Sequence, residues 1–121
     1  MSEPVAQAVQ RITGALGVAV GAAGVFLPET LGEAYGMEDT SPENRYTTRL
    51  WGSATIFLSV TAATARPGAE RRRVMSVLTM VNAVDLLAAV LADGIEPRSK
   101  ALAAATSAAF GAATLYVDLE G

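Results

Sequence analysis

The sequence predicts an all-α protein: a four-helix transmembrane bundle, rich in small residues, with room for a short interfacial helix after the first span. Three observations carry this expectation. Of 121 residues, 51% are hydrophobic, more than a soluble domain of this size needs for its core. Four stretches are almost free of charge: Ile12–Leu27, Leu50–Ala65, Val74–Ala92, which is broken only by Asp85, and Ala101–Val117. None of them has a charged side, whereas a soluble bundle places charges along one side of every helix.

The elements follow in order as one domain, with spans near 5–27, 45–65, 72–92 and 99–118. A sixteen-residue run rises roughly 24 Å, short of the ~30 Å hydrocarbon core, so the helices extend through flanking Gln7, Gln10, Arg11, Tyr46 and Thr47. Glu3 stands where a signal peptide needs a positive charge, so the first run fits that alternative poorly. Pro, Gly and charge mark three connections: 28–49, "RPGAERRR" at 66–73 and "DGIEPRSK" at 93–100. Within the first, "PETLGEAYGM" suits a short interfacial helix. "TSPEN" at 40–44 reads as a helix N-cap with proline in the first turn.

Composition excludes much familiar chemistry. Without cysteine there is no disulfide, thiolate nucleophile or zinc–thiolate site, and without histidine the commonest metal ligand and neutral-pH proton shuttle are missing. No metal site or cofactor is assigned. A net charge of −3 with no basic stripe argues against nucleic acid as a partner.

Helix association in lipid relies on close packing of small residues. Gly14, Gly17, Gly21 and Gly24 form one stripe on the first helix, and the alanine-rich fourth helix is its expected neighbour. The arginine cluster Arg66, Arg71, Arg72 and Arg73 places the 66–73 loop, and with it both termini, on the cytoplasmic side of an integral membrane protein. Arg45, Arg49, Arg98 and Lys100 then belong to the outer side.

The carboxylate inside the third run is the most informative single residue. Leu78, Asn82, Asp85, Ala89 and Ala92 keep the 3-4 spacing of a seam that faces other helices. An ionised carboxylate in hydrocarbon costs several kcal/mol unless paired. The stripe Arg45, Arg49, Gly52, Ile56, Ser59 brings Arg49 to a similar depth, so Arg49–Asp85 is the expected ion pair, completed by Asn82, Tyr46 and Thr106. Such a pair either fixes helix register or forms a site in which Asp85 acts as acid or base with Arg49 as its charge partner. Trp51, with Tyr46, reads as an interfacial anchor or a ligand contact.

A glycine-rich first helix, "GVFLPETLGEAYGM", "RLWG" opening the second helix, an arginine-rich short loop and "NAVDLLAAVLADG" resemble small DoxX-like four-helix membrane proteins, many of unknown function. The resemblance implies a membrane bundle with a polar site near "RLWG" and the third-helix acid. DoxX itself is associated with a quinol-oxidising complex, but the residues here give no separate support for a redox role. Two functions stay open. One is an accessory bundle, a homo-oligomer or subunit of a membrane complex; the other is a membrane-embedded enzyme or binder acting on a hydrophobic small molecule. A transporter or channel is a poorer fit, since no second intramembrane charge relay is visible.

Overall fold

A computed structural model describes residues 3–36 and 41–120, with Glu120 described by its backbone alone. Met37 and Thr40, which the sequence reading includes in its helix and cap signals, lie outside the described residues. The described chain is all-α and has five helices: α1 (Glu3–Phe26), α2 (Pro28–Ala34), α3 (Pro42–Thr64), α4 (Ala69–Leu91) and α5 (Pro97–Glu120).

The boundaries follow from local chemistry. Leu27, at φ −132° and ψ 56°, leaves the helical region ahead of the proline and ends α1, and Pro28 opens α2 where its missing N–H costs nothing. Ser41 caps α3, its Oγ accepting from the Asn44 amide at 3.1 Å, with Pro42 in the first turn. Gly68, at a φ of 107°, makes the tight entry into α4, a left-handed conformation that side-chain-bearing residues rarely adopt. Gly94, at 77°, does the same between α4 and α5.

The expectation of a four-helix transmembrane bundle is corrected on two counts. The helices number five, because the first connection folds into α2. Three of them, α1, α4 and α5, are long and apolar enough to cross a membrane by length and composition. Helix α3 is long but falls short in apolarity. Glu43, Arg45 and Arg49 occupy its first turns, and hydroxyls recur along the rest. Counting charge alone treats those hydroxyls as apolar, although each lowers the gain from transfer to lipid. Several are satisfied within the helix: Ser53, Thr61 and Thr64 donate to the carbonyls of Arg49, Phe57 and Val60 at 2.7–3.0 Å.

The long helices pack as two close pairs, α1 with α3 and α4 with α5, joined chiefly through α1 and α5. The α1–α3 contact is made backbone to backbone. A methyl group at Gly24 would lie 3.1 Å from the Gly52 Cα, and one at Gly52 would lie 2.5 Å from the Gly21 carbonyl oxygen. The glycine stripe therefore meets α3, not the alanine-rich last helix that the sequence favours. This leaves the same stripe covered within the chain and unable to serve as a contact between copies.

Between the pairs, Ala62, Met75, Leu78 and Val117 form a small buried cluster near the end that holds the termini and the 66–73 loop. Outside, the arrangement is inverted relative to a water-soluble protein. Phe57, Val84 and Leu91 are 72%, 64% and 68% exposed, and Ile12, Leu16, Met80, Leu87 and Val90 are likewise open. An apolar surface of this extent suits hydrocarbon and not water. Three apolar helices with such a surface make the chain compatible with an integral membrane protein.

Candidate functional site

The interior is incompletely filled, its walls mainly apolar with polar groups among them. A cavity of about 120 Å³ lies between the two helix pairs, reached by side chains from all four long helices. A wider groove of about 370 Å³ opens beside it, walled by α2, α3, α4 and α5. Trp51, Asp85, Thr106 and Ser107 line both and form the neck between them.

Helix periodicity explains who reaches the neck. On α3 the cavity lining runs through Trp51, Thr55, Leu58 and Ala62, spaced 4, 3, 4, with Ser59 beside it. On α4 it runs through Met75, Leu78, Asn82 and Asp85, spaced 3, 4, 3, with Val81 beside it. The neighbouring α3 stripe, Gly52, Ile56 and Ser59, is turned toward the α1 glycines.

Four of the polar residues that line the cavity, Gln10, Asn82, Thr106 and Thr114, have their side chains engaged. Asn82 Nδ2 donates to the Leu78 carbonyl at 2.9 Å, and the Asn82 Cβ abuts Gly111 on α5. The Thr79 and Thr114 hydroxyls meet at 3.0 Å, joining α4 to α5. Tyr35, just past α2, donates its hydroxyl to Thr106 Oγ1 at 2.9 Å, and Thr106 donates in turn to the Leu102 carbonyl at 2.9 Å. Asp85 differs. Its carboxylate has no ion-pair or hydrogen-bond partner among the described residues, and it is the one charged side chain among those that line either chamber.

Of the residues singled out from sequence, the fold brings Asp85, Asn82, Trp51 and Thr106 together and leaves Arg49 and Tyr46 apart. No ion pair joins Arg49 to Asp85 among the described residues. Similar depth is not enough for a pair, because the stripe that continues from Arg49 through Gly52 and Ile56 meets α1, and α3 barely touches α4. Arg49 is exposed, and Tyr46 is 69% exposed at the start of α3. Trp51, read from sequence as an anchor or a ligand contact, stands at the neck. The nearby cation Arg45 is directed to Glu29 on α2 at 3.6 Å.

The buried cation is a different arginine. Arg71 is 1% exposed and grips Glu3 with both terminal nitrogens, Nη2 lying 2.8 Å from Glu3 Oε2. Gln10 completes the clasp: its Oε1 faces Arg71 Nη1 at 3.5 Å, and its Nε2 donates to the Ala62 and Ala65 carbonyls at 2.8 and 2.9 Å. Those carbonyls belong to the last turn of α3, so Gln10 supplies a partner that the helix end itself lacks. The clasp holds the start of α1, the end of α3 and the start of α4 together. Its signal in the sequence is the buried face of α1, on which Ala6 and Gln10 continue the glycine stripe toward Glu3. Arg71 itself is hidden among neighbouring arginines.

Among the described residues no group of three or more acidic side chains is placed to hold a metal ion. The neck offers one carboxylate, one indole and two hydroxyls. No family model matches the chain, and neither a curated protein nor a solved structure matches it.

Proposed function

We propose that the chain is a small integral membrane protein that binds a hydrophobic small molecule in the cavity and groove that meet at Asp85. The observation that carries this reading is a carboxylate on an apolar helix, without a partner among the described residues, that lines two chambers side chains do not fill. Intramembrane carboxylates are costly and mark ligand or ion paths when no cation neutralises them. The groove volume falls in the range of small-molecule sites, ~300–1,000 Å³. The glycine stripe, which would otherwise favour an accessory role through oligomerisation, is occupied by α3. Kinship with DoxX-like proteins remains part of this proposal on the sequence pattern alone, and the 66–73 loop and both termini are assigned to the cytoplasmic side on the arginine cluster.

The test uses the single tryptophan of the chain, which lines both chambers. Purified protein in maltoside micelles is titrated with a neutral brominated fatty alcohol, which quenches indole on contact. The proposal expects saturable quenching of Trp51 fluorescence in the native protein and its loss in Ser107→Phe, whose ring fills the neck. Quenching that rises without saturation and is the same in both proteins would refute a binding site.

A further inference from the structure

We propose that the neck selects its ligand by a cationic head: the site takes a free amphiphile whose alkyl body ends in an organic ammonium group. This rests on the cavity reading above and adds the chemistry of the head. Three observations point to it. Asp85 is the only charged residue lining either chamber among the described residues, so its field is not cancelled by a neighbouring arginine or lysine. Trp51, 42% exposed, lines the same two chambers, and an indole face attracts ammonium groups through its quadrupole. The hydroxyl of Thr106 is taken up by Leu102 and Tyr35, so it does not compete for the carboxylate.

The geometry also indicates which way the ligand lies. The inner chamber, about 120 Å³, is smaller than the ~150 Å³ that admits a benzene-sized guest, so it accepts the substituents of the head and not a long chain. The outer groove, about 370 Å³ and walled by Leu31, Ala88 and Ala103, takes the alkyl body. A zwitterionic lipid would bring the same ammonium, but with a phosphate beside it. No lysine or arginine lines either chamber among the described residues to receive that phosphate, which favours the free amphiphile over a lipid headgroup.

Competition against the brominated alcohol at Trp51 tests this, in maltoside micelles free of added lipid. Dodecyltrimethylammonium, 1-dodecanol and a lysophosphatidylethanolamine are compared on the native protein and on Asp85→Asn, which keeps the shape of the side chain. The expected result is displacement by the ammonium compound at concentrations at least tenfold lower than by dodecanol. In Asp85→Asn that advantage disappears, and an unchanged helical circular dichroism signal and thermal midpoint report that the variant is folded. Equal displacement by ammonium and alcohol, indifferent to Asp85, would overturn the cationic head and leave the cavity reading standing. Stronger displacement by the lysolipid would overturn the free amphiphile. Absence of any saturable probe binding would overturn the cavity reading and this inference together.

Discussion

Gly52→Ala tests the backbone contact on which the whole arrangement hangs. The added methyl would lie 2.5 Å from the Gly21 carbonyl oxygen, 2.9 Å from the Val25 nitrogen and 3.0 Å from the Gly24 carbonyl carbon, whereas ordinary contact begins at 3.4 Å. All three obstacles are backbone, so no side chain can rotate away and α1 must retreat by nearly an ångström. Overpacking of this kind costs about 3 kcal/mol at the upper end of its usual range. Replacing glycine by alanine inside a helix returns about 1 kcal/mol. The difference, about 2 kcal/mol, corresponds to a fall of about 6–8 °C in Tm for a domain of this size, read from the helical circular dichroism signal in detergent. Gly111→Ala is the control. Its methyl meets only the Asn82 Cβ, at 3.2 Å, a contact relieved by a few tenths of an ångström, so the propensity gain dominates and Tm holds or rises slightly. If Gly52→Ala is as benign as Gly111→Ala, α1 and α3 do not meet through their glycines and the pairing described here is wrong.

Other perturbations separate the remaining parts. A double-mutant cycle of Glu3→Gln and Arg71→Ala is expected to give coupled losses of thermal stability, the double variant being more stable than the sum of the single losses requires, while Arg49→Ala and Asp85→Ala simply add; the reverse pattern would restore the pair expected from sequence. Membranes washed in alkaline carbonate should retain the protein, because its large apolar surface has no aqueous alternative, and recovery as a detergent-free monomer would contradict this. Since the chain has no cysteine, single cysteines at Pro67 and Glu96 report topology directly. An impermeant maleimide applied to intact cells should label the second and spare the first, and the opposite result would invert the assignment of sides.

Helix positions were largely legible because each boundary carries its own chemistry: Pro28, Ser41–Pro42, Gly68, Gly94 and Pro97 punctuate the chain where the backbone turns. Asp85, Asn82 and Thr106 were placed near one another from sequence and do line one cavity, and Trp51, read as an interfacial anchor or a ligand contact, joins them there. Partner choice between helices was not. Small residues recur on both α3 and α5, and only the register of Gly52 against Gly21 and Gly24 decides that α1 meets the former. The Arg49–Asp85 pair failed for the same reason, because a helical stripe specifies a face and says nothing about which neighbour receives it. The number of spans was misjudged by treating hydroxyls as apolar along α3. Arg71 escaped notice because burial depends on where the start of α4 docks, and Arg72 and Arg73, its neighbours in sequence, remain exposed.

The most direct test of the central claim is an experimental structure of the protein crystallised from a lipidic mesophase. The account predicts elongated non-protein density in the groove, ending at the neck between Asp85 and Trp51, with both helix pairs in place around it. A neck closed by side-chain packing, or Asp85 engaged by Arg49, would contradict it.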